Sequence, residues 1–334
     1  MVLRFVLVLL AAGSFPTESS LPLDHVADVA LPGGASRFDY QAVDHLNRRL
    51  YIAHLGDSSL VVFDLDAQRV AAEIPSLPSV HGVVAAPERH LVFATATGEK
   101  TVAFIDDKTL KVRSRLHAGE YPNGLAYDPN SDRVFVSNNR GLGVGVVDVK
   151  TGRALRGIDV GGGAGNTQYD AGSGHVLAAV HGQPYLAEID PAASRVVSRI
   201  ALREVRGCHG LLVASDLRLA FAACRGDAPL LIAVDLRDRR QLLTLPLPAE
   251  IDVLAFDPGL RRLYAASEPG TVVVFDVAAD RTVTELGRGF VGPNAHSVAV
   301  DPSTHRVYFP LASLGGRPVL RIMEARVFAS TRVH

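Results

Sequence analysis

Residues 126–138 read Ala-Tyr-Asp-Pro-Asn-Ser-Asp-Arg-Val-Phe-Val-Ser-Asn, and residues 299–309 read Ala-Val-Asp-Pro-Ser-Thr-His-Arg-Val-Tyr-Phe. In both segments a polar turn separates two short apolar runs. The pattern occurs seven times, and each copy is marked by the anchor residue before its turn: Asp44, Ala86, Asp128, Asp170, Ala214, Asp257 and Asp301. Successive anchors lie 42, 42, 42, 44, 43 and 44 residues apart. A period of this length indicates tandem structural repeats.

Each repeat contains four short apolar runs. The position seven residues after the anchor is aromatic in six of seven copies: Tyr51, Phe93, Phe135, Leu177, Phe221, Tyr264 and Tyr308. In the third repeat the runs predict strands near 124–127, 133–137, 144–149 and 155–159. Such runs are too short for helices. Four antiparallel strands in each period of about forty residues are typical of a β-propeller.

The N-terminal region completes the repeat count. Six repeats have four strands, and the seventh has three, ending near residues 317–323. Residues 26–31 are similar to the fourth strands of other repeats. The sequence therefore predicts an all-β, seven-bladed β-propeller with four-stranded antiparallel blades. Its N-terminal strand completes the last blade and removes the free edge of the ring.

The repeat resembles a known family. The tetrapeptides Tyr-Ile-Ala-His at 51–54 and Phe-Val-Ser-Asn at 135–138 carry the resemblance, together with the two opening segments and Val-Val-Asp-Val-Lys-Thr-Gly at 146–152. They look like the YVTN-repeat (YncE-like) β-propellers of exported bacterial proteins. Repeats two, four and five lack the tetrapeptide. The resemblance implies the fold over nearly the whole chain, but the family has no common activity.

The N-terminus has the features of an export signal. Arg4 precedes a short apolar run, and small residues follow at 11–13, so residues 1–13 are predicted to be a signal peptide. We expect a short linker at 14–22, the propeller at 23–326 and a tail at 327–334. The protein is then predicted to be periplasmic or secreted. This apolar run is too short for a transmembrane segment, and so is every other apolar run in the chain.

Charge and glycine patterns limit the partners. Basic and acidic residues number 34 and 35 and are mixed along the chain, so we expect no nucleic-acid partner. The glycine-rich stretches at 141–145 and 161–165 do not join a strand to a helix, and they lack the P-loop lysine, so no nucleotide cofactor is expected. We expect a monomer.

The two cysteines, Cys208 and Cys224, both belong to the fifth repeat. A hairpin turning near Asp216 would place them opposite each other. In an exported protein this favours a disulfide bond over free thiols or thiolate ligation of a metal.

One repeat position predicts a site. The residues five before each anchor begin the innermost strands and should ring one mouth of the central channel: Asp39, His81, Asn123, Gly165, His209, Asp252 and His296. His209, Asp252, His296, Asp39 and His81 follow one another around the closed ring. Polar residues here can simply link adjacent strands. Alternating imidazole and carboxylate groups also suit a divalent transition metal, Zn or Cu, because carboxylates orient imidazoles and raise their basicity.

Further polar residues are expected near the same mouth. His54 and Asn138 end second strands on that face, while the direction of His181 is left open. Residues in the following loops are candidates for recognising a charged ligand: Arg140, Arg225 and Glu268. With Asn123, these residues form the predicted ligand-binding set.

Three functional hypotheses follow. The leading one is an exported propeller that binds a small molecule or a metal at the His/Asp-lined mouth. The second is a metal-dependent propeller enzyme of the lactonase, lyase or oxidase type, by analogy of fold alone. The third is a scaffold for a partner protein. The catalytic residues, if there are any, are not assigned by the sequence.

Overall fold

The computed structural model describes residues 20–141, 143–205, 207–226, 228–248 and 250–326. These residues form seven four-stranded antiparallel sheets arranged as the blades of a propeller. The predicted signal peptide, most of the predicted linker and the predicted tail lie outside the described residues. Among those described, no helix has the length and apolar character needed to cross a membrane.

The strands are named β1 to β28 in chain order. Blade one contains β2 (Gln41–Asp44), β3 (Arg49–His54), β4 (Ser59–Asp64) and β5 (Arg69–Ile74). Blade two contains β6 (Val80–Ala86), β7 (Leu91–Ala96), β8 (Thr101–Asp106) and β9 (Val112–His117). Blade three contains β10 (Pro122–Asp128), β11 (Arg133–Asn138), β12 (Gly143–Asp148) and β13 (Arg153–Asp159). Blade four contains β14 (Ala164–Asp170), β15 (His175–Val180), β16 (Tyr185–Asp190) and β17 (Arg195–Ala201).

The remaining blades follow the same order. Blade five contains β18 (Cys208–Ala214), β19 (Leu219–Cys224), β20 (Leu230–Asp235) and β21 (Arg240–Pro246). Blade six contains β22 (Ile251–Asp257), β23 (Arg262–Ser267), β24 (Thr271–Val277) and β25 (Val283–Phe290). Blade seven contains β26 (Ala299–Asp301), β27 (Arg306–Leu314), β28 (Arg317–Ala325) and the N-terminal β1 (Leu23–Ala30). Short 3-10 helices occupy Pro87–Arg89, Thr97–Glu99 and Ser215–Leu217.

The same turn joins the first two strands of every blade. All seven anchors are the last residues of the innermost strands, as predicted. The residue four positions after each anchor has a positive φ, from 53° at His90 to 75° at Gly174. An aspartate anchor accepts turn amides, as Asp44 Oδ1 does from Leu46 and Asn47 at 3.1 and 2.9 Å. Because the carboxylate satisfies these amides, the tight turn is stable without a glycine at the left-handed position.

The hydrophobic core lies between the blades. The seven residues predicted from the repeat, Tyr51 to Tyr308, are at most 1% exposed. One cluster joins Phe38 and Leu50 of blade one to Tyr308 and Leu320 of blade seven. Each blade therefore depends on its neighbours for burial of its apolar faces.

The ring closes as the sequence predicts. Strand β1 pairs antiparallel with β28, from Leu23 opposite Ala325 to Ala30 opposite Val319. Ser297 Oγ donates to the Asp39 carbonyl at 2.5 Å, although 258 residues separate them. These contacts join blade seven to blade one.

The cysteine prediction is also confirmed. Cys208 and Cys224 lie opposite each other on β18 and β19 and form a disulfide bond. The chain reverses at the 3-10 helix Ser215–Leu217, where the turn was expected.

Candidate metal centre at the channel mouth

The ring residues lie at one end of the innermost strands. These strands contact each other from blade to blade and line the central axis. His81, Asn123, His209 and Asp252 are each the second residue of their strand. Neighbouring strands are joined at this level, because the Tyr40 amide donates to the His81 carbonyl at 3.2 Å. The repeat register therefore brings residues that are distant in sequence to the same end of the channel.

Asp39, Asp252 and His296 form a compact triad on blades one, six and seven. One potential ligand atom from each residue lies within 4.8 Å of the other two. The side chains are deeply buried, with Asp39 3%, Asp252 4% and His296 0% exposed. Within the described part of the chain, Asp39 Oδ1 and His296 Nε2 have no hydrogen-bond partner. Buried polar atoms without partners are rare in native proteins, and an ion is one of the few groups that can satisfy them.

Two of the histidines are oriented by backbone carbonyls. His296 Nδ1 lies 3.1 Å from the Asn294 carbonyl oxygen, and His81 Nδ1 lies 2.7 Å from that of Ser79. A carbonyl accepts only, so each Nδ1 is the donor and the lone pair of the neutral ring is on Nε2. This is the arrangement that commonly prepares a histidine for metal ligation.

His81 and His209 flank the triad on opposite sides. His81 Nε2 is 3.9 Å from Asp39 Oδ2, and His209 Nε2 is 3.4 Å from Asp252 Oδ1. All five residues predicted for the metal site thus form a continuous arc over blades five, six, seven, one and two. Three of them make the compact group, and the other two contact its carboxylates.

His181 occupies the space left by a ring glycine. A Cβ added to Gly165 would lie 3.0 Å from His181 Nε2. The His181 ring stacks on that of His209, and its Nε2 lies 3.0 Å from His209 Nδ1. The direction of His181, which the repeat did not determine, is therefore into the mouth.

Two arginines and one glutamate surround Asp252. Arg225 Nη2 donates to Asp252 Oδ1 at 2.9 Å, and Arg37 Nη2 lies 3.5 Å from Asp252 Oδ2. Arg37 also donates to both carboxylate oxygens of Glu268, at 2.8 and 2.7 Å. Glu268 Oε2 is 3.6 Å from His296 Nδ1. Sequence reasoning missed Arg37, because its repeat position, seven residues before the anchor, is basic in no other blade.

The two carboxyl groups of the triad have opposite pKa shifts. Burial, and then the charge of Asp252, raise the pKa of Asp39 well above its ordinary value of 3.8. Burial alone would raise the pKa of Asp252, but the nearby His209 and Arg225 hold it below 3.8. Since two close buried carboxylates resist double ionisation, a proton on the pair is held mainly by Asp39.

Burial also keeps the histidines neutral. It lowers the pKa of His81 and of His296 below the ordinary value of 6.5. Burial lowers the pKa of His209 to about 4. Neutral imidazoles are the form that ligates metals.

The other predicted ligand-binding residues are more dispersed. His54 is fully buried, stacks on Phe38 and lies 2.9 Å from Ser36 Oγ. Asn138 is 3% exposed, and it accepts from the Tyr121 amide and donates to the Ala118 carbonyl. His54 thus contacts neighbouring side chains, and Asn138 joins two backbone segments.

Asn123 and Arg140 differ from these two. Asn123 lies on the ring, 5% exposed, and its Oδ1 has no partner among the described residues. The Arg140 guanidinium lies 5.2 Å from the centre of the Tyr121 ring. Asn123, Arg140, Arg225 and Glu268 thus lie at or close to the mouth.

Comparison with known proteins supports the fold. No family model and no curated protein sequence matches the chain. Among solved structures, a chain of Kuenenia stuttgartiensis hydrazine synthase superposes with a TM-score of 0.72 at 14% identity, over 93% of this chain and 99% of that chain. Identity this low shows a shared architecture and nothing about activity.

Proposed function

We propose that this protein is an exported ligand-binding β-propeller that holds a divalent transition metal, Zn or Cu, at Asp39, Asp252 and His296. The observation that carries the proposal is the triad itself, with its buried and unpartnered Asp39 Oδ1 and His296 Nε2. A nitrogen donor beside two carboxylates favours Zn or Cu over Ca or Mg, whose ligands are oxygens.

Three protein ligands leave a coordination position for a further molecule. Metal sites that bind or transform small molecules typically keep such a position open. His81 lies beside Asp39 and can supply a fourth nitrogen or contact the bound molecule. The proposed ligand therefore binds at the metal, inside the mouth of the channel.

The export part of the proposal rests on two observations. The apolar segment at 1–13 has the pattern of a signal peptide. The Cys208–Cys224 disulfide suits an oxidising compartment such as the periplasm or the exterior of the cell.

Zinc titration of chelator-treated, untagged protein tests the metal assignment. We expect one zinc ion per chain at pH 7.5 and progressively weaker binding as the pH falls. The sign follows from the pKa shifts: Asp39 has a raised pKa and must lose its proton to bind the metal, so acid opposes binding. Calorimetry in buffers of different ionisation enthalpy should detect the released proton. Zinc affinity that is independent of pH, or no binding, would contradict the assignment.

The carboxyl pair favours a metal-dependent enzyme as a second candidate. Two close carboxyl groups with opposite pKa shifts are an arrangement suited to general acid and base roles. Turnover of a lactone or phenolic substrate that requires the metal would support this candidate, and binding of such a compound without turnover would favour the ligand-binding protein.

A further inference from the structure

A cavity of about 490 Å³ opens beside the triad. Its walls include Arg37, Leu55, His81, Thr97 and Tyr121. Two of these residues reach the triad directly, since Arg37 lies 3.5 Å from Asp252 and His81 lies 3.9 Å from Asp39. A molecule in this cavity, here called the Arg37 pocket, would therefore lie next to the metal centre.

The charged residues that line the Arg37 pocket differ from those that line a second cavity, which contains Arg225. Arg37 is its charged group, and no Asp or Glu is among its described lining residues. A second cavity, of about 530 Å³, contains Arg225 but also Glu250 and Glu268. Both arginines contact Asp252, and Arg37 also pairs with Glu268, but neither of these carboxylates lines the Arg37 pocket. An anion in this pocket would therefore meet the exposed side of the Arg37 guanidinium and no carboxylate in the wall.

Glu268 holds the guanidinium of Arg37 in place, and one N–H group of Arg37 remains available to a ligand. Its two terminal nitrogens donate to Glu268, whereas its Nε–H makes no hydrogen bond with the described residues. The side chain is 38% exposed. Because Glu268 fixes the plane of the group, a carboxylate can bind it with little further loss of side-chain entropy.

Two residues give the Arg37 pocket an apolar surface. Leu55 and Tyr121 both line the cavity. The Tyr121 ring is fixed between the edge of His81, at 5.7 Å between centroids, and the Arg140 guanidinium, at 5.2 Å. An aromatic face held in this way offers a contact surface for a compact apolar group.

We propose that the Arg37 pocket binds a small organic acid, with its carboxylate on Arg37 and a compact apolar or aromatic body against Leu55 and Tyr121. A volume of about 490 Å³ is within the range of small-ligand sites. The proposal deepens the proposed function by giving the chemical class of the ligand. The Arg37 contact itself needs no metal.

Benzoate is a suitable probe, and benzamide is its uncharged counterpart. We expect benzoate to bind chelator-treated protein in a calorimetric titration, and benzamide to bind at least about tenfold more weakly, because it lacks the charge-assisted hydrogen bonds. Arg37→Gln should weaken benzoate binding by about tenfold or more. Arg225→Gln is the matched control, since Arg225 contacts the same aspartate but lines the acidic cavity, and it should change benzoate affinity less than twofold.

Leu55→Glu gives a second variant that leaves the contacts of Asp252 intact. It should weaken benzoate binding through repulsion between the new carboxylate and that of benzoate. Equal affinity for benzoate and benzamide, equal losses in the two arginine variants, or no benzoate binding would overturn the proposal. Zinc titration of the same samples separates the two ideas: benzoate binding without zinc binding refutes the metal centre alone, and the reverse refutes the organic-acid pocket alone.

Discussion

Asp39→Asn and His296→Gln are each expected to abolish measurable zinc binding while the propeller remains folded. Each change removes a ligand from a three-residue site, so the loss should exceed the about 10–100-fold typical of residues that only orient a ligand. The fold should tolerate Asp39→Asn because Asn has nearly the same shape as Asp and lacks the negative charge that burial disfavours at this position. Calorimetric titration with zinc, together with thermal unfolding, measures both properties.

His209→Gln is the matched control for these variants. His209 belongs to the same ring and is nearly as buried, but it contacts Asp252 and His181 rather than completing the compact triad. We expect a loss of at most about 100-fold, with binding still measurable. If His209→Gln lost binding completely while His296→Gln retained it, the metal would have to be assigned to the His181–His209 side of the mouth.

Deletion of residues 24–31 is expected to prevent cooperative folding or to cause aggregation. The deletion removes nearly all of β1, which pairs with β28, and takes away the buried Leu31. Lost apolar burial and strand hydrogen bonds together amount to about 5 kcal/mol or more. This corresponds to a fall in Tm of at least about 10 °C. Circular dichroism melting and size-exclusion chromatography would detect the melting change and the self-association of the exposed β28 edge.

Asp28→Ala is a control that removes a side-chain contact of β1 but keeps its strand pairing with β28. Asp28 lies on β1 and accepts from Arg321 at 2.8 and 2.7 Å, but this pair is partly exposed. The substitution should lower the free energy of unfolding by no more than about 1 kcal/mol. A deletion variant that stays monomeric with the Tm of the parent protein would show that the ring closes without β1.

The fold was predictable because the repeat determines both strand ends and ring order. Asp44 and Asp301 could be identified as strand ends without a structure, since each precedes a turn of the same length. The N-terminal closing strand was predictable because the seventh repeat has only three strands of its own. The sequence placed the start of this strand at residue 26, whereas the structure begins it at Leu23.

The site was predictable only where it follows the repeat. Asp39, Asp252 and His296 share one repeat position, so sevenfold pseudosymmetry was enough to bring them together. Arg37 is the one basic residue at its repeat position, and His181 enters the mouth because Gly165 leaves room for its ring. Such contacts depend on side-chain direction and on space in a neighbouring blade, which periodicity does not determine. His54 ends the second strand of its blade, as predicted. Its ring is nevertheless buried against Phe38, which the repeat position did not indicate.

Anomalous diffraction from zinc-soaked crystals tests the metal centre most directly. Data collected above and below the zinc edge should show a peak about 2.0–2.2 Å from a carboxylate oxygen of Asp39, one of Asp252 and a ring nitrogen of His296. A peak between His181 and His209, or no zinc peak at the channel mouth, would contradict the account.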